Sequence, residues 1–230
     1  MKDVQIFNKE GLDFLSDISN NSIDLVLTDP PYEISRSSGF IDSKGPKTIE
    51  RFKVSYEFGE WDEQKIDLLP FITEIYRVLK PGGTCIVFYD LWKLSYLKGM
   101  MADSKFKQIR LIEWIKTNPV PVNSKVNYLH NVREIALLGV KKSKPTFNSK
   151  YDNGIYKYPI YHGKDRFHPT QKSLPLFEDL IKKHSNEGDI ILDCFLGSGT
   201  TALAARNTGR KFIGCELDQN YFKKTLDRMK

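Results

Sequence analysis

Short apolar runs alternate along this chain with longer segments of helical period, and that alternation constrains the fold more than any other feature. The runs at residues 4–7, 23–28, 84–89, 109–115, 132–140, 189–193 and 211–215 have strand length. Ile23-Asp24-Leu25-Val26-Leu27-Thr28 is almost continuously apolar, as a strand covered on both faces must be. Between the runs lie helical segments. Residues 61–79 place Leu68, Ile72, Ile75 and Leu79 at helical spacing and are expected to stop at Pro81-Gly82-Gly83, with Pro70 marking a kink or a later start. Residues 11–18, 91–101 (capped by Asp90), 174–185 (Pro175 near its start), 200–207 and 220–229 complete the set. Strands alternating with helices predict an α/β fold, a mostly parallel sheet with helices on both faces. Residues 33–60 show no period and carry Gly39, Gly45, Pro46 and Gly59, which predicts a long functional loop.

Length and composition narrow the class. At 230 residues the simplest organisation is one domain, 1–230, carrying the 33–60 loop as a lid and a basic insertion at 141–167. Hydrophobic residues at 40% and charged residues at 28% exclude wholesale disorder. No apolar run approaches the length of a membrane span, and Met1-Lys2-Asp3-Val4-Gln5 lacks a signal-peptide core. Cys85, Cys194 and Cys215 are odd in number and widely spaced, which argues against disulfides and a zinc site and fits a reducing cytoplasm.

The net charge of +6 is concentrated. Lys141, Lys142, Lys144, Lys150, Lys157, Lys164, Arg166 and Lys172 face only Asp152 and Asp165 in sequence, an excess equal to that of the whole chain. Phe147, Tyr151, Tyr156, Tyr158, Tyr161 and Phe167 are interleaved. Cations neutralise phosphates and aromatic faces stack on bases, so the stretch suits a nucleic acid; a solvated loop over buried tyrosines is the plain alternative. His130, His162 and His184 are expected to be ordinary surface or loop residues.

Two segments carry chemistry. Gly197-Ser198-Gly199-Thr200-Thr201-Ala202 joins a strand to a helix, and Glu216 stands at the tip of the next strand. Glycines admit close backbone approach, a helix N-terminus favours an anionic group, and an acid so placed suits ribose hydroxyls. The pattern predicts a nucleoside-bearing cofactor, with NAD and S-adenosylmethionine both open. Thr28-Asp29-Pro30-Pro31-Tyr32 follows a buried strand, at the carboxyl edge where α/β ligand sites lie. Asp29 and the Pro30 carbonyl are two acceptors and Tyr32 a flat face, a set that suits a planar group bearing an NH₂. Hydrogen bonds to both amine hydrogens favour a pyramidal nitrogen with its lone pair available, and Asp29 can take or relay the departing proton.

With these residues the sequence resembles the β-class S-adenosylmethionine-dependent DNA amino-methyltransferases. Asp29 to Tyr32 match that family's D-P-P-Y, and Phe195-Leu196-Gly197-Ser198-Gly199 its F-x-G-x-G. His168-Pro169-Thr170-Gln171-Lys172-Ser173 resembles its H-P-T-Q-K-P, Arg77 to Gly83 its central helix ending, and Gly214 to Asp218 the segment of the ribose acid. Cys194 and Ser173 stand where the family usually has Pro. The resemblance implies a Rossmann-like methyltransferase fold in circularly permuted motif order. It implies methyl transfer from S-adenosylmethionine to adenine N6 of flipped-out double-stranded DNA, with Asp29, Pro30, Pro31 and Tyr32 catalytic. Cofactor contacts are implied for Asp29, His168, Thr170, Gln171, Lys172, Asp193, Phe195, Gly197, Ser198, Gly199, Thr200, Thr201, Glu216 and, with Glu10, for Asn220. A homodimer and a companion restriction endonuclease are compatible partners. The alternatives are a cytosine-N4 methyltransferase, an NAD-dependent oxidoreductase and a non-catalytic DNA-binding subunit.

Overall fold

The computed structural model describes residues 3–31, 66–119, 132–163, 166–168 and 171–230. Tyr32, Thr170, His130, Lys164 and the 33–60 loop lie outside these residues. The described elements in chain order are β1 (Val4–Asn8), α1 (Gly11–Ser16), β2 (Ile23–Thr28), α2 (Leu68–Val78), β3 (Leu79–Tyr89), α3 (Leu94–Asp103), β4 (Lys107–Lys116), β5 (Arg133–Val140), β6 (Ile155–Tyr158), α4 (Leu174–His184), β7 (Ile190–Asp193), α5 (Thr200–Asn207), β8 (Lys211–Glu216) and α6 (Gln219–Arg228).

Among the described residues the eight strands form one sheet in the order β1-β8-β7-β2-β3-β5-β4-β6. Every neighbouring pair is parallel except those that β5 makes with β3 and with β4. β2 lies near the middle, with Leu25 opposite Thr84 of β3 and Ile191 of β7. Its apolar run is explained by cover on both faces. Val26 packs with Phe14, Leu15, Phe71, Ile72 and Ile75 of α1 and α2. Leu25 and Leu27 pack with Phe177, Leu180, Ile181 and Ala204 of α4 and α5. Asp24, the polar member of the run, accepts from Lys80 and from the Ile190 amide. In α2 the buried Leu68, Phe71, Ile72, Ile75 and Val78 form one stripe.

The connections position the site. From β7 the chain passes through α5 to β8 on one side, whereas β3 lies on the other side of β2. The strand order therefore reverses between β7 and β2, and a crevice opens at their carboxyl ends.

Several local expectations change. α2 starts at Leu68 rather than at 61, capped by Asp67, which accepts from the Leu69 amide at 3.0 Å, so Pro70 falls in the first turn and marks the later start. Pro81-Gly82-Gly83 does not stop the helix; it lies inside β3, where the register with β2 shifts between Ile23 opposite Leu79 and Leu25 opposite Thr84. Gly82, at φ +85°, approaches the Lys144 carbonyl so closely that a Cβ would sit 2.7 Å from it. Asp90 caps a short 3-10 turn, Leu91–Lys93, ahead of α3.

The basic stretch holds an edge strand, β6, parallel to β4. Tyr156 turns inward there while Ile155 and Lys157 face out, the period-2 pattern of a strand. Its aromatics are partly structural: the Tyr156 hydroxyl donates to Asp152, Tyr158 to Asp179, and Phe147 packs on His184. Lys141 also turns inward, donating to Asn21 at 2.8 Å and to the Arg77 carbonyl at 3.0 Å beneath Tyr76. Lys142, Lys144, Lys150, Lys157 and Arg166 remain exposed, as does Tyr151. His184 is buried rather than superficial, and burial lowers its pKa to about 4; His162 is exposed. All three cysteines are buried thiols. Among the described residues no helix is long and apolar enough to cross a membrane.

Candidate active site

Asp193, the last residue of β7, fastens the crevice together. One carboxylate oxygen accepts from Thr28 at the end of β2 (2.6 Å) and from the Phe195 amide (3.0 Å); the other accepts from Thr201 in α5 (2.6 Å). Burial raises its pKa to about 6 against those hydrogen bonds.

The glycine loop leaves β7 through two left-handed residues, Gly197 at φ +53° and Gly199 at φ +78°. A Cβ on Gly199 would lie 2.5 Å from Thr225 of α6. That helix holds the loop from below: Thr225 donates to the Gly197 carbonyl at 2.9 Å and Arg228 to that of Ser198 at 2.8 Å. Above it, the His168 ring faces Gly197 and packs on Tyr221, with centroids 4.5 Å apart. Burial, helped by Lys172 and Arg166, lowers the His168 pKa to about 4, so it is neutral at pH 7.

Glu216 ends β8 beside this loop. It accepts from the Gly197 amide at 2.7 Å through one oxygen and from the Asp218 amide at 2.8 Å through the other. Burial raises its pKa to about 7, although both amide hydrogen bonds favour the anion. Each oxygen keeps a second lone pair for a hydroxyl donor.

Asp29 comes from the end of β2. Its Oδ2 meets the Lys172 ammonium at 2.9 Å. Its Oδ1 is buried and finds no hydrogen-bond partner among the described residues. Burial raises the Asp29 pKa, with Lys172 opposing. Lys172, only 6% exposed, also meets Glu134 of β5 at 2.6 Å, and Glu134 meets Lys116 of β4 at 2.7 Å. Burial works against the charge on Glu134, but the two ammonium groups hold its pKa at about 2.

A cavity of about 300 Å³ joins these parts. Asp29, Pro30 and Pro31 line it from β2, with His168 and Lys172 from the segment before α4. Asp193 lines it from the end of β7, Phe195, Gly197, Ser198, Thr200 and Thr201 from the glycine loop and the start of α5, Glu216 from the end of β8, and Glu10 from the turn after β1. Glu10 is also the N-cap of α1, accepting from Leu12 and Asp13. Gly199 lies behind the lining; Gln171 is buried with neither end of its amide paired among the described residues; Asn220 is exposed and does not line the cavity. Phe71, 4.8 Å from Phe195 between ring centroids, and Tyr221 line it without a motif to announce them. Tyr221 lies one position beyond Asn220 on the same helix. The residues fit S-adenosylmethionine. Glu216 offers free lone pairs to ribose hydroxyls, and the glycine loop gives room at the backbone.

A parallel sheet with one antiparallel strand, a glycine loop at its switch point, a carboxylate on the next strand and an Asp-Pro-Pro segment in the same cavity define an α/β methyltransferase. A family model described as DNA methylase matches residues 23–227. The type II methyltransferase M2.DpnII of Streptococcus pneumoniae is 32% identical, across 97% of this chain and 88% of that protein. M.HpaI of Haemophilus parainfluenzae is 30% identical, across 99% of this chain and 74% of that protein. Among solved structures, the M1.HpyAVI–SAM complex matches with a TM-score of 0.73 and 30% identity, over 98% of this chain and 99% of that one. The cytosine-N4-specific PvuII DNA methyltransferase matches with a TM-score of 0.76 at 18% identity, over 99% of this chain and 86% of that one, and so shares the fold. The chain belongs to the DNA methylase family and uses S-adenosylmethionine. The oxidoreductase reading is set aside by that membership.

Proposed function

We propose that this protein methylates the exocyclic N6 amine of adenine in double-stranded DNA, one base at a time, after flipping it out of the helix. The observation that carries the reading is that Asp29, whose buried Oδ1 has no partner among the described residues, lines the same cavity as the glycine loop and Glu216. When bound, S-adenosylmethionine supplies an electrophilic methyl group on a sulfonium.

The chain's own residues do the rest. Glu216 takes the ribose hydroxyls, and Gly197 and Ser198 admit the amino-acid portion. Phe195 lies along the cofactor. Asp29 Oδ1 and the Pro30 carbonyl accept the two hydrogens of the adenine amine and draw it towards a pyramidal geometry. Pro31 fixes the direction of the segment and Tyr32 stacks on the flipped base. As the nitrogen bonds to carbon, the carbon–sulfur bond breaks, and the proton left on nitrogen passes to Asp29 or to water. Flipping costs a few kcal/mol. Holding nitrogen and methyl in contact contributes roughly 7–11 kcal/mol in well-aligned cases. Lys142, Lys144, Lys150 and Lys157, exposed in the 141–167 insertion, contact phosphates. In the cytoplasm the enzyme protects DNA from a companion restriction endonuclease, in keeping with the type II names of its relatives.

The test is incubation with methyl-labelled S-adenosylmethionine and unmethylated genomic DNA, followed by nucleoside analysis. Label is expected in N6-methyladenine; label in N4-methylcytosine, or none, overturns the assignment.

A further inference from the structure

Asp29 and Glu134 lie two strands apart, with β3 between β2 and β5. Lys172 bridges the gap. Its ammonium sits 5.4 Å from the centre of the Phe88 ring on β3, 2.9 Å from Asp29 Oδ2 and 2.6 Å from Glu134 Oε2. Glu134 is held in turn at its other oxygen by Lys116, at 2.7 Å. Two cations and two anions thus alternate from β4 to the tip of β2.

An ammonium facing one carboxylate alone can swing between its two oxygens. Glu134 removes that freedom, because it pins the Lys172 nitrogen on the side of Oδ2. Oδ1 is left buried and unpaired among the described residues, on a side chain that lines the cavity. Sharing Lys172 between two carboxylates also leaves Asp29 a better proton acceptor than an exclusive ion pair would.

Resting on the methyl-transfer reading above, we propose that Glu134 is a positioning residue for the reaction, acting through Lys172 to aim the free oxygen of Asp29 at the target amine. Lys116 anchors Glu134. The charged and titratable groups around Asp29 are Lys172, Glu134 and Lys116 on one side and Asp193 of β7 on the other, with neutral His168 in the same cavity.

The test compares single-turnover methyl transfer to adenine across pH 5–9 in the wild type, Glu134→Gln and Lys172→Gln, with cofactor affinity measured in parallel. Transfer requires ionised Asp29, so the acid limb of the rate follows its titration. Glu134→Gln removes the second carboxylate from Lys172 and moves that limb to lower pH. It lowers the plateau rate about tenfold or more by misplacing the oxygen, with cofactor affinity within about twofold. Lys172→Gln moves the limb the opposite way, upward by about one pH unit or more. Should Glu134→Gln fail to fold, Glu134→Gln/Lys116→Gln removes one charge of each sign and is expected to show a smaller move in the same downward direction. A merely structural ion-pair network would lower thermal stability and leave both limbs in place; with an active wild type, that result overturns the proposal. A wild type that labels no adenine overturns this inference together with the reading it rests on.

Discussion

Protonation of Glu216 should govern cofactor binding. The carboxyl is pushed up to about 7 by burial, although it accepts the amides of Gly197 and Asp218. A ligand that donates two ribose hydroxyls to the remaining lone pairs stabilises the anion and returns the group to the ordinary carboxylate range. Binding therefore requires the deprotonated form, which is scarce below pH 7. Affinity is level above pH 7 and falls as pH drops, about tenfold per pH unit, or about thirtyfold at pH 5.5. Asp193, raised to about 6, is committed to Thr28, Thr201 and Phe195 and offers the ligand less. Calorimetric titration with S-adenosylmethionine between pH 5.5 and 8.5, in two buffers of different ionisation enthalpy, reads both the dissociation constant and the proton released. Glu216→Gln should bind weakly with a flat profile, because its amide sets an NH₂ against the Gly197 or Asp218 amide. A wild-type dissociation constant that does not change across this range, with no proton released, would refute the reasoning.

Other consequences follow from particular side chains. Gly199→Ala puts a Cβ 2.5 Å from Thr225 at φ +78° and should weaken cofactor binding and lower the melting temperature. The left-handed backbone alone costs about 1–2 kcal/mol, and Thr225→Ala should recover only the steric part. Replacing Lys142, Lys144 and Lys150 with Ala should lower the salt slope of DNA binding, by about 0.9 for each phosphate that is no longer neutralised. Lys141→Ala should leave that slope intact and lower the melting temperature, since its ammonium is tied to Asn21 and the Arg77 carbonyl. Buried His184, with its pKa lowered to about 4, must gain a proton on unfolding in acid. Its contribution is full above pH 6.5 and is lost as pH falls towards 4, by up to about 3 kcal/mol. Denaturation of His184→Phe at pH 4.5 and 7.5 should show a smaller acid loss than the wild type, and an equal loss would exclude the histidine.

The sheet and the site's outline could be read from the chain for a common reason. β2 and β7 are buried on both faces, so their sequences are nearly all apolar, and the glycine loop and Asp-Pro-Pro segment directly follow them. A strand tip is the one place where short motifs far apart in sequence meet predictably. Edge and bulge geometry was less legible. Among the described residues β6 pairs on one side only, and it carries polar residues outward, so residues 155–158 read as loop. Pro81-Gly82-Gly83 reads as a helix stop, yet the helix had already ended, and these residues form the bulge that resets β3 against β2. Lys141 and exposed Lys142 are indistinguishable as letters; the Asn21 side chain and the Arg77 carbonyl, both within reach of one ammonium, decide which of the two turns inward. Glu134 lies 105 positions from Asp29 in a segment without a motif, and only the order β2-β3-β5 brings the two to one lysine.

The central claim is tested most directly by the single-turnover methyl-transfer rate of Asp29→Ala on adenine-containing duplex, taken at saturating S-adenosylmethionine. The carboxylate is not needed to build the glycine loop or to seat Glu216, so the variant should bind the methyl donor while transferring no label to adenine. Transfer at the wild-type rate would contradict the account, since the oxygen at the tip of β2 would then have no part in the chemistry.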